Sequence, residues 1–336
     1  MKNLDEEESR SVSHLSDSVF DAVVIGAGPA GLNAALVLGR ARRRVLVIDG
    51  GEPRNAASHA MHGFLSRDGL DPAELRRIGR MQLEPYPDAE LAAGVVGEVQ
   101  IAGNRFEVTS SLGDPVVARK LLLAVGIRDE LPQIAGFAPL YGNSAFHCPY
   151  CDGWEVRDQS IAVLSEEPGG LRLALLLLAW SRDVLLCTNG GWQPTTEQAE
   201  HLARVGVGLR QERIVRLEET SGQLDQIVFE GGSSVKRQVL FFHGPVRLSS
   251  SLPERLGCAL TDSGRIEVDE AGRTSISGVY AAGDAARRSA EYPATQVILA
   301  AASGALAAIA LHQELMYEEV GLAPALPPRV IAAVRS

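Results

Sequence analysis

Two short apolar runs near the start of the chain are rich in β-branched residues, and a stretch of small residues separates them. The runs at residues 20–25 (FDAVVI) and 44–49 (RVLVID) lack the polar alternation of a half-exposed strand, which predicts strands buried on both faces. The small residues from 29 to 42 favour a helix between them. Strand, helix and strand in close succession predict a βαβ unit and therefore a parallel sheet.

A second unit of the same kind follows later in the chain. The runs at 160–164 and 183–187 predict buried strands, and the apolar stretch at 169–180 predicts the helix that joins them. The remaining predicted elements are two buried strands and a long C-terminal helix, at residues 119–126, 278–283 and 294–314. The pattern predicts a three-layer α/β protein in which one dinucleotide-binding fold is inserted into another.

Composition narrows the class of protein and its partners. The chain has 336 residues, of which 46% are apolar and 22% charged, so it is too apolar for a disordered protein and long enough for two domains. Its net charge of −10 argues against nucleic acid or an anionic membrane as the main partner. The apolar runs at 173–180 and 297–311 are shorter than the roughly 18 residues of a membrane span, and they predict buried helices.

The N-terminus and the cysteines bear on the cellular compartment. The first residues are acidic and polar, without the apolar stretch of a signal peptide, and they predict a flexible arm. Four cysteines are too few for a disulfide scaffold of this length, which favours a reducing, cytoplasmic environment. Cys187 and Cys258 stand alone in the sequence and are predicted to be core residues.

A glycine-rich turn of the form G-x-G-x-x-G joins the first strand to the first helix. Its first glycine permits a tight turn, its second the close approach of a pyrophosphate, and its third close packing of the helix. The predicted cofactor-binding residues of this turn are Gly26, Gly28, Pro29, Ala30 and Gly31. Asp49 ends the second strand, where a carboxylate accepts hydrogen bonds from a ribose and repels a 2′-phosphate, so FAD or NAD is expected. A glycine-rich turn without a ligand is the alternative.

Cys148 and Cys151 form a C-x-x-C pair. Two intervening residues allow a small disulfide ring in which one thiol is more exposed than the other. Half of a zinc site is one alternative, but neither a second C-x-x-C nor a paired-histidine motif follows to complete it. Two cysteines that are buried by accident are the other alternative.

The segment from Thr274 to Ala285 (TSISGVYAAGDA) resembles the second FAD signature of the pyridine nucleotide-disulfide oxidoreductases. By that resemblance Asp284 contacts the flavin ribitol, and the helix that begins near residues 294–297 points its positive end at the flavin. Residues 123–126 (LAVG) resemble another segment of the family, A-T-G, with valine where threonine is usual. The FAD-binding residues predicted here are Val99, Ala124, Gly126, Gly283, Asp284, Gln296 and Val297.

The order of the motifs resembles that of the low-molecular-weight thioredoxin reductases over residues 20–315. That order is the FAD fingerprint, C-P-Y-C-D-G, the second βαβ unit and then Gly-Asp. The resemblance implies a homodimer of chains with two nested Rossmann-like FAD/NAD(P)-binding domains, the second inserted in the first. The implied boundaries are an N-terminal arm at 1–19, an FAD domain at 20–129 and 246–315, an inserted NAD(P)H-like domain carrying the C-x-x-C at 130–245, and a C-terminal tail at 316–336.

The same resemblance assigns roles around the cysteine pair. It places Cys151 next to the flavin, makes Cys148 the interchange thiol that meets the substrate, and makes Asp152 the general acid and base. His147 either lowers the pKa of Cys148 when protonated or is a packed neighbour.

Residues 54–63 (RNAASHAMHG) differ from the Gly-Gly-Gln segment of NADPH-dependent members of the family. Arg54 and Asn55 are candidates for contact with the flavin or its pyrophosphate. His59 and His62 lie on one face of a predicted helix. They are either a base near the flavin or part of the start of a surface helix.

The expected nicotinamide site also departs from the family. The loop at 165–170 (SEEPGG) puts two carboxylates where phosphates would lie, and residues 186–191 (LCTNGG) lack the arginine cluster that grips a 2′-phosphate. Both features argue against NADPH, although Gly169-Gly170 offers an alternative phosphate loop. The chain therefore resembles the thioredoxin-reductase-like flavoproteins that do not use NADPH. These include dithiol oxidases of the gliotoxin and holomycin type and ferredoxin-linked or deeply branching thioredoxin reductases.

These features predict an FAD-dependent dithiol/disulfide oxidoreductase whose Cys148–Cys151 pair exchanges electrons with the flavin. The expected partner is thioredoxin or a small dithiol or disulfide, with O₂ as acceptor in the oxidative direction or ferredoxin as donor in the reductive one. An NADPH-dependent thioredoxin reductase is the first alternative, and a non-catalytic flavoprotein redox sensor is the second. No metal, nucleic acid or membrane is expected to take part.

Overall fold

A computed structural model describes residues 19–288 and 294–322. The strands are β1 (Val19–Ile25), β2 (Val45–Asp49), β3 (Ala89–Ala93), β4 (Val96–Ala102), β5 (Arg105–Ser110), β6 (Val116–Leu123), β7 (Ile127–Asp129), β8 (Ala145–Phe146), β9 (Ile161–Ser165), β10 (Val184–Cys187), β11 (Val207–Arg210), β12 (Ile214–Thr220), β13 (Gln223–Phe229), β14 (Ser234–Lys236), β15 (Val239–His243), β16 (Val246–Leu248), β17 (Ile266–Glu267), β18 (Val279–Ala281) and β19 (Ala286–Arg287). The helices are α1 (Pro29–Arg40), α2 (Pro72–Met81), α3 (Pro149–Asp152), α4 (Gly169–Leu177), α5 (Thr196–Arg204), α6 (Leu252–Arg255) and α7 (Val297–Glu319). The predicted N-terminal arm, apart from Val19, and the predicted tail beyond residue 322 lie outside the described residues.

The described residues divide into two compact units. The first unit comprises residues 19–54, 73–128, 247–288 and 294–322, and the second comprises residues 55–72 and 129–246. The segment at 55–72, which the sequence-based boundaries include in the FAD domain, thus groups with the unit that carries the C-x-x-C.

A seven-stranded sheet forms the centre of the first unit. Its order is β3-β2-β1-β6-β5-β4, and β18 also pairs with β6. The pairs among β3, β2, β1, β6 and β18 are parallel, whereas β5 is antiparallel to both β6 and β4. Phe20 and Val23 of β1 pack into one core cluster while Ala22 and Val24 pack into another, so this strand is buried on both faces. The predicted β1-α1-β2 unit and its parallel sheet are confirmed.

Helices α1 and α7 pack closely in the first unit because small residues line their contact. Pro29 occupies the first helical turn of α1, and a Cβ atom on Gly304 of α7 would lie 2.1 Å from the carbonyl oxygen of the buried Ala30. Ala307 and Ala308 of α7 are completely buried. The helix continues to Glu319, beyond its predicted end and into the predicted tail, because its last turns are also held by the sheet.

Among the described residues, α7 is long and apolar enough to cross a membrane by length and composition. Its inner face is buried in the core of the first unit, where Leu311 and Leu315 have no exposed surface. Its last turns form ion pairs with basic residues of β6. We therefore interpret α7 as the buried helix that the sequence predicts.

Lys120 on β6 is the most enclosed of these basic residues. Its Nζ atom lies 2.5 Å from Glu314 and also contacts Glu318, and its side chain is only 6% exposed. Tyr280 donates its hydroxyl hydrogen to the same Glu314. Burial opposes ionisation of Glu314, yet the hydrogen bonds from Lys120 and Tyr280 hold the pKa of this carboxyl below its ordinary value.

The second unit contains a five-stranded parallel sheet in the order β11-β10-β9-β15-β8 and a three-stranded antiparallel sheet of β12, β13 and β14. Strands β9 and β10 are parallel and joined by α4, so the second predicted βαβ unit is confirmed. Cys187 is completely buried in β10, and Cys258 is buried in the first unit. Both are core residues, as predicted.

The substitution Lys120→Met should lower the free energy of unfolding by roughly 2–3 kcal/mol, because it removes the nearest cation from the largely buried Glu314 carboxylate and leaves only the more distant Arg273, at 3.7 Å. Urea denaturation measures this loss. The matched control is Arg77→Met, which removes an exposed partner of Glu74 and should cost less than about 1 kcal/mol. Equal losses in the two variants would contradict the importance of the buried pair.

Candidate cofactor and active sites

Parallel strands of the first unit end at one edge of its sheet. Gly26 follows β1 and Ala124 follows β6, and the Ala124 N–H donates to the last carbonyl of β1 at 2.9 Å. Asp49 ends the neighbouring β2, and Gly283 follows β18 on the other side of β6. The carboxyl edge of a parallel sheet is where α/β proteins bind ligands. The fold thus gathers predicted cofactor residues that lie far apart in the sequence.

The turn after β1 requires glycine at two positions and leaves open space at a third. Gly26 has a φ of +104°, and a Cβ atom there would lie 2.4 Å from the Ala124 oxygen. A Cβ atom on Gly31 would lie 1.8 Å from the Gly26 oxygen, so α1 packs directly on the turn. By contrast, a Cβ atom on Gly28 would meet nothing within 4 Å. Open space beside the unpaired N–H groups at the start of α1 fits a pyrophosphate.

Asp49 stabilises this turn and carries a basic neighbour. Its Oδ1 atom accepts a hydrogen bond from the Ala27 N–H at 3.0 Å, and its Oδ2 atom lies 2.7 Å from Nη2 of Arg80. A carboxylate has further lone pairs with which to accept ribose hydroxyls. Arg80, on α2, was not predicted because no local motif marks it. Its charge offsets part of the repulsion that the sequence argument expected between Asp49 and a 2′-phosphate.

Two predicted FAD residues, Arg54 and Asp284, form an ion pair. Nη1 of Arg54 lies 3.1 Å from Oδ2 of Asp284, and the two side chains are 16% and 21% exposed. Arg265 donates to the Asp284 carbonyl oxygen at 2.7 Å, while the Gly283 N–H donates to the Ser303 hydroxyl at 2.9 Å. The Asp284 carboxylate is therefore firmly positioned. Arg265 and Ser303, which help to position it, carry no sequence signature that would have revealed them.

The remaining predicted cofactor residues lie at a helix start, after a strand, in a 3₁₀ helix and on an edge strand. Gln296 is the N-cap of α7 and Val297 its first residue, so the predicted helix N-terminus lies there. Gly126 follows β6 with a φ of +68°. Asn55 follows Arg54 in a 3₁₀ helix, and Val99 packs against the core from the edge strand β4. Contact of these residues with a cofactor stays a prediction.

In the second unit, Cys148 and Cys151 form a disulfide at the start of α3, with 5.3 Å between their Cα atoms. Cys148 is the N-cap of this short helix, and Pro149 occupies its first turn. The N–H groups of Cys151 and Asp152 donate to the Cys148 carbonyl at 3.1 and 3.2 Å. Because both cysteines are half-exposed and their sulfurs are bonded to each other, an accidental pair of buried thiols does not describe this site.

Aromatic residues follow and precede the cysteines closely in the sequence. A Cβ atom on Gly153 would lie 3.0 Å from the Trp180 ring, and Tyr150 meets the same ring edge-on at 5.6 Å between centroids. Tyr150 and Trp154, which lie next to and three residues after Cys151 in the chain, are more than half exposed. The His147 ring packs edge-on against the Phe242 ring, with 6.2 Å between centroids. This contact fits the packed neighbour that was one of the two roles predicted for His147.

Asp152 is the titrating group next to the disulfide. Burial, and then the charge of Glu155, raises the pKa of Asp152 to about 7, while the charge of His62 acts in the opposite direction. A carboxyl group with a pKa near neutrality both accepts and releases protons under physiological conditions. The side chains of Glu155 and His62 lie 3.5 Å apart, a pairing that sequence reasoning missed.

The predicted helix carrying His59 and His62 is wrong. The 3₁₀ helix at this place ends at Ala57, and Gly63 and Ser66 then take left-handed φ angles of +75° and +71°. The chain folds into a loop instead of continuing as a helix, so the two histidines do not share a helical face. His59 is exposed and contacts Oδ1 of Asn143 at 3.1 Å.

The turns after β9 and β10 in the second unit contact each other through their own side chains and backbone. Oε1 of Glu166 accepts a hydrogen bond from Nδ2 of Asn189 at 2.5 Å. A Cβ atom on Gly191 would lie 2.5 Å from the Cβ atom of Glu166. The Trp192 indole donates to the Ser165 carbonyl at 3.1 Å. The turns after β9 and β10 therefore close on each other.

The start of α4 is equally crowded. A Cβ atom on Gly169 would lie 2.6 Å from the His243 ring, and one on Gly170 would lie 2.4 Å from Ser165. These glycines allow the helix to pack tightly on the sheet, whereas the Gly28 position of the first unit leaves space. The hydroxyl of Thr188, at the carboxyl end of β10, is buried without a hydrogen-bond partner among the described residues.

Substituting glycines in the first unit separates ligand binding from folding. Gly28→Ala should weaken FAD binding by about tenfold or more, because the methyl group enters open space beside the helix N-terminus. The stability of the flavin-free protein should change by less than about 1 kcal/mol. The matched variant Gly31→Ala should cost about 2–3 kcal/mol of that stability, because its methyl group overlaps the Gly26 oxygen. Flavin binding is measured as the flavin content that remains after desalting, and stability is measured by urea denaturation. Full flavin retention by Gly28→Ala would contradict the assignment of this turn to the cofactor.

Comparison with known proteins places these sites in a family. The profile of the pyridine nucleotide-disulphide oxidoreductases matches residues 20–307. A probable thioredoxin reductase of Arthroderma benhamiae is 32% identical over 332 residues, covering 89% of this chain and 81% of that protein. The crystal structure of HlmI is 39% identical with a TM-score of 0.83 and covers 91% of this chain and 95% of that one. A putative thioredoxin reductase TrxB from Bacillus anthracis is 34% identical with a TM-score of 0.83, over 89% of this chain and 99% of that chain.

These matches confirm the predicted fold class of nested FAD/NAD(P)-binding domains. The match to the family profile spans the glycine-rich turn, the disulfide and the Gly-Asp motif. The family implies FAD as the group that the first unit holds, which agrees with the open space at Gly28. The chain belongs to the pyridine nucleotide-disulphide oxidoreductases and is a flavin-dependent oxidoreductase of the thioredoxin reductase type.

Proposed function

We propose that this protein is a dithiol/disulfide oxidoreductase that exchanges electrons between the Cys148–Cys151 pair and FAD without using NADPH. The observation that carries the proposal is the contrast between the two units. The first has open space at Gly28, while Glu166 and Asn189 fill the corresponding turn of the second. FAD, when bound, takes up or supplies the electron pair that the cysteines exchange.

The chemistry proposed at the cysteines takes Cys148 as the interchange thiol and Asp152 as the acid and base, the roles that the family resemblance implies. In the oxidative direction a substrate thiolate attacks Sγ of Cys148, breaks the Cys148–Cys151 bond and leaves Cys151 as a thiolate. The second substrate thiol gives its proton to Asp152, attacks the substrate sulfur of the mixed disulfide and releases Cys148. The substrate dithiol becomes a disulfide and the cysteine pair gains two electrons. In the reductive direction the same steps run backwards.

Electrostatic repulsion also supports the proposal that the protein does not use NADPH. Glu166 and Glu167 are exposed at the turn where the phosphates of a dinucleotide would lie, and they would repel an anion. Arg210, at the end of β11, is paired with Glu212 at 2.8 Å and donates to the Ser233 hydroxyl. This guanidinium is thus already engaged by protein groups.

The partners proposed are thioredoxin or a small dithiol or disulfide, together with O₂ as acceptor or ferredoxin as donor. Relatives such as the probable thioredoxin reductase of Arthroderma benhamiae support thioredoxin. The exposed rings of Tyr150 and Trp154 beside the disulfide suit a small apolar dithiol. An NADPH-dependent thioredoxin reductase is the competing function, because Gly169-Gly170 begins a helix at the carboxyl edge of a parallel sheet.

Anaerobic mixing of the yellow holoenzyme with excess NADPH should leave its flavin absorbance unchanged, whereas dithiothreitol should bleach it. Cys148→Ser is the control that should keep bound flavin and lose bleaching by the dithiol. Rapid bleaching by NADPH would establish the competing function instead. Oxygen uptake with dithiothreitol in air then distinguishes an oxidase from an enzyme fed by ferredoxin.

A cytoplasmic location is also proposed, because a reducing compartment suits the free, buried thiols of Cys187 and Cys258.

A homodimer is proposed as well. One face of α7 exposes apolar side chains along its length, including Leu299, Leu306, Ile309 and Met316. Apolar surface of this extent favours contact with a second copy of the chain.

Leu306→Lys should convert a dimer into a monomer, measured by sedimentation or light scattering, because it puts a charge on the apolar face of α7. Leu65→Lys is the matched control, since Leu65 is 90% exposed in the other unit and its replacement should not change the mass. A dimer that persists in Leu306→Lys would exclude this face as the interface.

A further inference from the structure

The loop after the 3₁₀ helix is held in place by contacts within the second unit. Gly142 packs on it so closely that a Cβ atom there would lie 2.3 Å from the Ala57 oxygen. A β-bridge joins Met61 to Leu70 at the base of the loop. The Gly63 N–H donates to Oδ1 of Asp68 at 2.8 Å. These contacts fix the backbone on both sides of His62.

The His62 imidazole lies between two carboxylates. Its Nδ1 atom is 3.5 Å from Asp68 of the same loop, and its Nε2 atom is 3.5 Å from Glu155. Glu155 comes three residues after Asp152, just beyond the end of α3. The side chain of His62 is 23% exposed, so most of the imidazole is shielded from solvent.

The mechanism above gives Asp152 a proton to accept and return, but it leaves open what sets the charge around that carboxyl group. The charged groups that act on Asp152 are Glu155, which favours its protonated form, and His62, which favours its ionised form. The two have opposite signs and contact each other. Burial contributes most to the raised pKa of Asp152, and the charges of Glu155 and His62 then adjust that pKa in opposite directions.

We propose that His62 is a positioning residue for the redox-active dithiol: as an imidazolium it pairs with Glu155 and thereby controls when Asp152 holds a proton. This inference rests on the proposed dithiol/disulfide function. In the step concerned, the second substrate thiol transfers its proton to the Asp152 carboxylate while its sulfur displaces Cys148. An ionised Glu155 without this partner would favour the protonated form of Asp152, which cannot accept that proton.

The test measures how pH affects the anaerobic reduction of the holoenzyme flavin by dithiothreitol, in stopped flow. The rate should rise with pH as Asp152 ionises. His62→Gln removes a positive charge and should move the midpoint of this rise to higher pH, by up to about one unit. Glu155→Gln removes a negative charge and should move it to lower pH by a similar amount. The double variant should return close to the wild-type midpoint.

His59→Gln is the matched control, because this exposed histidine of the same loop contacts Asn143 instead of the cluster. It should leave the midpoint unchanged. Unshifted midpoints in both single variants, or shifts in the same direction, would overturn the inference, since only a charge effect gives opposite signs. Glu155 is 43% exposed, so Glu155→Gln should fold. If His62→Gln does not fold, a midpoint of Glu155→Gln that fails to move to lower pH would still overturn the inference.

The outcome also separates this inference from the function on which it rests. If dithiothreitol fails to bleach the wild-type flavin at any pH, the proposed function falls and the inference falls with it. If bleaching is normal and the midpoints do not move, only the role of His62 is rejected.

Discussion

Parallel pairing of strands is the constraint on which both units depend. A parallel strand can continue only through a crossover, so every turn that follows such a strand lies at the same edge of the sheet. In the first unit β1 is paired with β2 on one side and β6 on the other. This pairing brings Gly26, Asp49 and Ala124 together although 98 positions separate the first and last of them in the sequence. The cofactor site is therefore a consequence of the sheet, with side chains adjusting its details.

The same constraint gives opposite results in the two units because the residues at the edge differ. At Gly28 the absence of a side chain leaves room beside a helix N-terminus, where N–H groups attract an anion. In the second unit Glu166 carries a carboxylate into the equivalent turn, and Asn189 holds it there through a hydrogen bond. A negative charge and a filled volume both oppose a phosphate. Under the proposed function, one architecture thus provides a ligand site in one place and a turn without a dinucleotide in the other.

Sequence reasoning succeeded where the signal is local. The buried runs around Val23 and Val163 and the glycines of the first turn follow from periodicity and steric need, and the structure has both βαβ units. It failed where contacts join distant segments: Arg265 and Arg80 reach the cofactor edge from elements that carry no motif. The error at His62 has another cause. The left-handed angles at Gly63 and Ser66 close a loop, and a pattern based on helical spacing does not detect them.

An acid with a pKa near neutrality suits a couple that runs in both directions. As a carboxylate Asp152 can take the proton of an attacking thiol, and as a carboxylic acid it can return that proton when the cysteines form their disulfide again. At its ordinary pKa of about 4 the group would be a proton acceptor only, since almost none of it would be protonated at neutral pH. Burial is the largest cause of the change, so under the proposed function the enclosure of Asp152 serves the chemistry as well as the fold. Such a site does not select a direction of electron flow by itself, and the direction follows from whichever donor or acceptor reaches the flavin.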